Sequence, residues 1–466
     1  MNSSISTAVI LAAGLGTRMK SSTPKVLHEV CGLPLISHIL EAVAQVGAER
    51  TVVVLGPGHE RVRPVLPEGV EVALQLEPRG TGDALLKAAA FLEDGPALVV
   101  PGDTPLITGE VLRDLVGHHV ETGAQATILT MILENPGGYG RVVRDETGAV
   151  TRIVEQRDAT PEELEIREVN SGMYVLPGRR SLGLLEEVGS DNEQGEVYLT
   201  DVVEGLVAAG AKVEAVAAPD PSVTLGVNTR VDLARVAALM RGRILNRWML
   251  EGVTIDDPSS TYVDVSVELE ADVRILPGTT LSGATVVGRD SVIGPATTLI
   301  DTAVGRGSRV RHAYAEGASI GDGVQVGPFC YLRPGARLER GSKAGTFVEI
   351  KNSTVGEGSK VPHLSYIGDT TIGRETNIGA GNITANYDGR RKHRTVIGDG
   401  VHTGSDTVFV APVTIGDKAV TGAGSIITKN VPEAGLGIAR CRQKNIEGYA
   451  DRRGVEPGED SEHGAK

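Results

Sequence analysis

Cysteine is scarce: the 466 residues hold three, Cys31, Cys330 and Cys441, far apart and odd in number. None falls in a C-x-x-C spacing, so neither a disulfide framework nor a cysteine zinc site is supported, and a reducing cytoplasm fits best. No run approaches the ~20 apolar residues of a membrane span. The early apolar stretch Ala8 to Ala13 lacks a basic leader and runs into a glycine loop, unlike a signal peptide. Positive charge is also short. The net charge of -14 argues against a broad nucleic-acid surface and says little about small anionic substrates. Aromatic residues are only 3%, whereas there are 60 glycines, which points to a repetitive, tightly turning backbone filled by Val, Ile and Ala.

The chain is too long for one ordinary core, and its two halves differ. From Ile5 to about Pro219, the runs Ala8 to Ala12, Thr51 to Leu55, Val70 to Leu74, Ala97 to Val100 and Ala126 to Ile132 read as strands. Leu35 to Val46 and Thr81 to Phe91 have helical spacing between them, so this half is α/β with a mainly parallel sheet and ligands beyond the carboxyl ends of its strands. Leu233, Val236, Met240, Ile244 and Trp248 then recur at spacings of three and four behind Thr229, a candidate cap, and predict one connecting helix. After it the period is six. Val263, Leu269, Ile275, Leu281, Val287, Ile293 and Leu299 keep that phase, as do Ile320, Val326, Leu332, Leu338, Ala344 and Ile350, and finally Ile397, Thr403, Phe409, Ile415, Thr421 and Ile427. Only a parallel β-helix with one hexapeptide per face holds such a phase. The expected organisation is therefore 1–230 for the α/β domain, 231–251 for the connector, 252–450 for the repeat domain and 451–466 for a polar, disordered tail. Between Ile378 and Ile397 the chain is too long for one coil side and must loop out, where a repeat protein places binding residues.

Chemistry concentrates first after the strand Ala8 to Ala12, in Gly14-Leu15-Gly16-Thr17-Arg18-Met19 and Pro24-Lys25. Glycines let backbone N–H groups approach phosphate oxygens, and Arg18 and Lys25 add the charge that a triphosphate under displacement requires. A dinucleotide fingerprint would want a third glycine where Met19 stands, and a P-loop would want Gly-Lys-Ser/Thr, which is absent. With T-R-M and P-K at these offsets, the segment resembles the sugar-1-phosphate nucleotidyltransferases. That resemblance implies a Rossmann-like nucleotidyltransferase domain in which Leu11, Ala12, Ala13 and Gly14 contact UTP, and Gln75, Gly80 and Thr81 read uracil. Pro101-Gly102-Asp103 follows the Ala97 to Val100 strand and Asn228 lies in G-V-N-T-R. Asp103 and Asn228 offer two oxygen ligands, which with phosphates and waters suit Mg²⁺. Gly140, Glu155 and Asn170 would hold N-acetylglucosamine; Ser171 stands where the family more usually has Thr.

His363 lies in V-P-H-L-S-Y-I-G, with Glu349 and Lys351 in the preceding coil. A sugar amine should have a pKa of roughly 8, so the base taking its proton should titrate near neutrality, as imidazole does at about 6.5. A carboxylate such as Glu349 could orient the ring. R-P-G at Arg333, E-I-K at Lys351, S-Y at Tyr366, N-I-G-A-G from Asn377 and N-Y-D-G from Asn386 together resemble the acetyltransferase half of the bifunctional GlmU family. The resemblance spans about residues 5 to 450. It implies a left-handed coil, with His363 as base, Arg333 and Lys351 on the phosphate of glucosamine-1-phosphate, and Tyr366 and Asn377 on its sugar. Ala380, Ser405, Ala423 and Arg440 would hold acetyl-CoA, while Asn386 and Tyr387 position the amine and the developing oxyanion. The family usually has Gly where Pro362 stands. The product of both halves would be UDP-N-acetylglucosamine, a cell-wall precursor, made by a homotrimer whose acetyl-transfer sites form between subunits. The basic cluster Arg390 to Arg394 is expected to be a solvated loop. A single-function nucleotidyltransferase would not need His363, Lys351 and the Asn386-Tyr387 loop, and a regulatory relative would be expected to lose Arg18, Lys25 and Asp103.

Overall fold

In the computed structural model, residues 5–187 and 195–452 are described, and they divide into two compact units, 1–250 with 262–267, and 251–261 with 268–466. The first unit is built on a nine-stranded sheet: β1 (Thr7–Ala12), β2 (Arg50–Leu55), β3 (Glu71–Leu74), β4 (Pro96–Pro101), β5 (Ala126–Ile132), β6 (Arg141–Arg144), β7 (Val150–Val154), β8 (Glu168–Pro177) and β9 (Val213–Ala217). Its order is β9-β5-β8-β4-β1-β2-β3, with β6 on β8 and β7 on β6. The continuous Val/Ile runs are explained by burial on both faces. Val9, Val52, Val54 and Val99 enter one core, while Ile10, Val53, Leu98 and Val100 enter the other. Each such side chain is worth about 1.5–3 kcal/mol when fully buried.

The sheet is more mixed than the sequence suggests. β1, β2, β3 and β4 pair in parallel, as do β5 and β9, but β8 runs antiparallel to β4 and β5 and adds the β6–β7 hairpin. Hydrophobic runs buried on both faces look alike in either direction, so the reversal has no sequence signature. A register shift between Asn170 and Met173 breaks the β8–β5 ladder beside a predicted sugar residue.

The predicted connecting helix is Arg230–Leu250. Thr229 Oγ1 accepts from the Asp232 N–H at 3.2 Å, and Asp232 Oδ2 accepts from the Thr229 N–H at 2.8 Å, which closes a reciprocal cap. Val236 packs with Met19, Val30, Leu35 and Leu106 in the first unit. The predicted helix Thr81 to Phe91 ends earlier, at Lys87, and continues as a 3₁₀ turn, Ala89–Phe91.

In the second unit, short strands stack in parallel ladders on three sheets. Arg274 pairs with Val292, Val292 with Arg309 and Arg309 with Gln325, so successive coils take eighteen, seventeen and sixteen residues. Shortened corners account for the slips in the six-residue phase. The inward positions are sealed: Ile275, Ile293, Leu299 and Ile350 are 0% exposed. Thr371 pairs with Val396, twenty-five residues on, and the excess forms the loop predicted between Ile378 and Ile397. Of the polar tail, Asp451 and Arg452 belong to a short helix, Tyr449–Arg452, and 453–466 lie outside the described residues. No helix among the described residues is long and apolar enough to cross a membrane.

Truncating an inward rung leaves a cavity that stacked coils cannot collapse. Ile350→Ala should destabilise the second unit by about 2–5 kcal/mol, whereas the outward Val286→Ala should stay within about 0.5 kcal/mol, as measured by denaturant unfolding followed by circular dichroism.

Candidate functional site

In the first unit, a cavity of about 520 Å³ opens beyond the carboxyl ends of β1 and β4. Parallel pairing sets Leu11 beside Pro101, and the Gly102 N–H donates to Leu11 O at 2.7 Å, which fixes the floor. The loop after β1 needs its glycine at 16. Gly16 has φ +61°, and a side chain there would meet Lys25 Cβ at 2.7 Å, so its absence lets Lys25 fold back over the loop. Lys25 Nζ then lies 2.5 Å from Asp103 Oδ2 and 3.3 Å from Asn228 Oδ1, and Arg18 Nη2 donates to that same amide oxygen at 2.9 Å. Asn228 is held in turn by its backbone N–H, which donates to Asp232 Oδ2 at 3.1 Å at the head of the long helix. One carboxylate and one amide oxygen thus converge on a single cation. Both are hard donors of the kind Mg²⁺ takes together with phosphates and waters.

Of the predicted first-site residues, Leu11, Ala12, Ala13, Gly14, Arg18, Lys25, Gln75, Gly80, Thr81, Pro101, Gly102, Asp103, Glu155, Asn170 and Asn228 all line this cavity. Gly140 stands behind it, its carbonyl accepting from the Asn170 N–H at 2.9 Å, and a side chain there would lie 3.4 Å from Glu155. Asn170 donates to the Tyr174 hydroxyl at 2.6 Å and accepts from the Gly172 N–H at 3.0 Å. Burial, with Asp158, Asp201 and Glu196 nearby, pushes the Glu155 carboxyl above its ordinary range against the lowering effect of the Thr200 hydroxyl. Tyr174 and Thr200 also line the wall and were not singled out from the sequence. Each sits in an ordinary strand or helix-start context that carries no chemical signature.

The second unit gathers its predicted residues in two groups. Arg333 Nη1 pairs with Glu349 Oε1 at 2.9 Å, and Glu349 lies in register with Tyr366 and Lys351 with Gly368 on the next coil. At the adjoining corner, Asp369 accepts from Asn352 at 2.6 Å and from Asn386 at 2.5 Å. Burial acts to raise the Asp369 pKa, but these bonds and the charges of Lys351 and Lys392 hold it below the ordinary carboxylate value. Lys392, taken from the sequence as part of a solvated loop, faces Lys351, and the apposed ammonium lowers its pKa. Lys392 stays exposed, as expected of a solvated loop, and the loop folds back through a Tyr387–Lys392 bridge, while His393 is half-buried and paired with Asp388 at 2.7 Å.

The other group follows one edge of the coil. His363, exposed, ends the strand Lys360–His363, and its carbonyl accepts from the Gly381 N–H at 3.4 Å. The Asp406 N–H donates to Ala380 O at 2.7 Å, the Gly424 N–H to Ser405 O at 2.8 Å, and Arg440 Nη1 to Ala423 O at 2.6 Å. Ala380, Ser405, Ala423 and Arg440 are therefore successive rungs running on from His363. Asn377 bridges Lys360 and His402 on the sheet that carries His363, and Tyr387 is 62% exposed with its hydroxyl donating to Gly389 O. Glu349 is committed to Arg333, so its predicted role as a partner of the His363 ring finds no contact here.

The MobA-like NTP transferase domain family matches residues 8–167, and the bacterial transferase hexapeptide family matches 394–429. The bifunctional protein GlmU of Geobacillus sp. is 47% identical over 96% of this chain and 98% of its own length. That of Streptomyces coelicolor is 50% identical, covering 96% and 94%, and that of Kineococcus radiotolerans 51%, covering 95% and 91%.

Asp201, at the start of the helix Asp201–Ala208, has its pKa raised to about 6 by burial and by Glu204 and Asp158. A raised acid favours the folded state while protonated, so this contribution is fully present below about pH 4 and is lost as pH rises through about 6. Asp201→Asn should therefore raise the unfolding midpoint at pH 7.5 and leave it unchanged at pH 4. The single tryptophan, Trp248, lies in the same unit, and its fluorescence reports the transition.

Proposed function

This chain belongs to the bifunctional GlmU family, and from that premise we propose how its residues divide the work of the two reactions. The enzyme transfers acetyl from acetyl-CoA to the amine of glucosamine-1-phosphate, then uridylyl from UTP to N-acetylglucosamine-1-phosphate with release of pyrophosphate. We assign uridylyl transfer to 1–230, acetyl transfer to 252–450 and the connection to 231–251.

In the first cavity the sugar phosphate attacks the α-phosphorus of UTP in line. No protein nucleophile is required. Arg18 and Lys25 neutralise the phosphates, the Leu11 to Gly14 turn offers N–H groups, and Gln75, Gly80 and Thr81 meet the base. Pro101 and Gly102 complete the floor, while Gly140, Glu155 and Asn170 orient the N-acetylglucosamine. Asp103 and Asn228 would hold Mg²⁺, which when bound supplies further positive charge to the triphosphate. The Lys25 ammonium between those two oxygens supports their convergence on a cation.

In the coil, His363 takes the proton as the amine attacks the thioester carbon. Arg333 and Lys351 hold the sugar phosphate, and Lys392 joins them on the strength of its position opposite Lys351. Tyr366 and Asn377 contact the sugar. Asn386, held by Asp369, and Tyr387 place the amine and the oxyanion. The rungs Ala380, Ser405, Ala423 and Arg440 carry the acetyl-CoA. His363, Ser405, Ala423 and Arg440 are exposed on a single chain, which supports a homotrimer in which neighbouring subunits cover them. Three free thiols support a cytoplasmic location.

The observation that carries this reading is the completeness of both constellations, the Arg18, Lys25, Asp103 and Asn228 cluster in one unit and the His363 row in the other. His363→Ala should abolish acetyl transfer and spare uridylyl transfer, while Lys25→Ala does the reverse. Loss of both activities in either folded variant contradicts the assignment. Sedimentation should give three times the 48.7 kDa chain mass, and a monomer carrying full acetyltransferase activity would overturn the shared site.

A further inference from the structure

Gln75 follows β3 and lines the first cavity, yet it is only 3% exposed. Its Nε2 donates to Gly80 O at 3.0 Å and to Asp83 Oδ2 at 2.7 Å. A glutamine amide carries two N–H donors on nitrogen and acceptors on oxygen, so these bonds use both hydrogens. The partners are a backbone carbonyl and a carboxylate. Turning the amide over would set Oε1 against two oxygens with no proton between them, which in a buried site costs far more than one lost hydrogen bond.

The partners are themselves fixed. Gly80 has φ +102°, and a side chain there would meet Val197 O at 2.5 Å, so the turn presenting its carbonyl admits only glycine. Asp83 is 7% exposed, and its second oxygen lies 3.3 Å from Lys87 Nζ, one turn along the helix Thr81–Lys87. With Oδ1 beside the Lys87 ammonium and Oδ2 on the Gln75 amide, both Asp83 oxygens are placed as acceptors. The atom of Gln75 left for the cavity is the acceptor Oε1.

We propose that Asp83 is a positioning residue that locks the Gln75 amide with its oxygen toward the base, and so selects a pyrimidine carrying an N–H at ring position 3. Uracil donates from that nitrogen, whereas cytosine presents a lone pair there and is repelled. The proposal rests on the reading of this cavity as a UTP site and names the device behind its base preference. Exchanging Asp83 for Asn, which can donate as well as accept, leaves Gly80 O as the one oxygen set against a turned amide and so weakens the lock.

The test measures kcat/KM for UTP and for CTP with N-acetylglucosamine-1-phosphate, by pyrophosphate release, in the full chain and in Asp83→Asn and Gln75→Ala. Trp248 fluorescence and acetyl transfer check folding of the two units. Asp83→Asn should lower the UTP-to-CTP ratio at least tenfold, with CTP turnover rising in absolute terms, a gain that structural damage does not produce. A ratio within twofold of the parent, where Gln75→Ala does lower it, overturns the role of Asp83 alone. If Gln75→Ala also leaves the ratio unchanged, the base-reading assignment of this segment fails with it. Should Asp83→Asn not fold, Asp83→Ser, whose hydroxyl also donates or accepts, is judged by the same ratio.

Discussion

Parallel pairing aligns the same ends of neighbouring strands, and the charged and base-facing side chains of the first cavity and the stacked rungs of the second unit depend on that alignment. In the first unit Ala12 lies in register with Leu55, Leu55 with Leu74 and Leu11 with Pro101, so the loops after β1, β2, β3 and β4 leave the sheet on one side. Arg18, Lys25, Gln75 and Asp103 follow from those exits. In the second unit the same kind of pairing, repeated every sixteen to eighteen residues, stacks corner over corner. Chemically unlike residues from distant coils are thereby brought into a row. A parallel strand cannot return by a tight hairpin. Helices make the return in one half and further coil sides in the other, which is why one chain has two such different textures.

Charge is organised locally and against the grain of the whole. A chain of net charge -14 gathers small groups of cations at its two candidate sites, each beside a carboxylate. Lys25 leans on Asp103, Arg333 on Glu349, and Lys351 with Lys392 on Asp369. Such pairs hold the cations in geometry without committing them, an arrangement suited to sites that must bind and release in each turnover.

Much of this was legible from the sequence because it rests on spacing. Ile293, Leu299 and Ile350 keep a six-residue phase since each fills one side of a coil, and their complete burial follows from it. The Gly16 to Lys25 segment was legible because few folds need those residues at those offsets. Direction was not: the half of β8 from Met173 to Leu176 is as apolar and as buried as the strands beside it. Nor were partners between distant elements. Lys392 was visible as a charge, but its position opposite Lys351 depends on how the Asn386 loop folds back. The bond from Gln75 to Asp83 was equally hidden, because a polar pair eight residues apart has no signature until a strand end and a helix start are packed together.

One polypeptide, on this account, supplies the residues of two separate catalytic centres that work in sequence. The most direct measurement supplies purified protein with glucosamine-1-phosphate, acetyl-CoA, UTP and Mg²⁺, and follows free CoA and pyrophosphate independently. The account predicts release of both, with pyrophosphate appearing only when acetyl-CoA is present. Pyrophosphate without CoA would contradict it and leave the coil as a structural appendage.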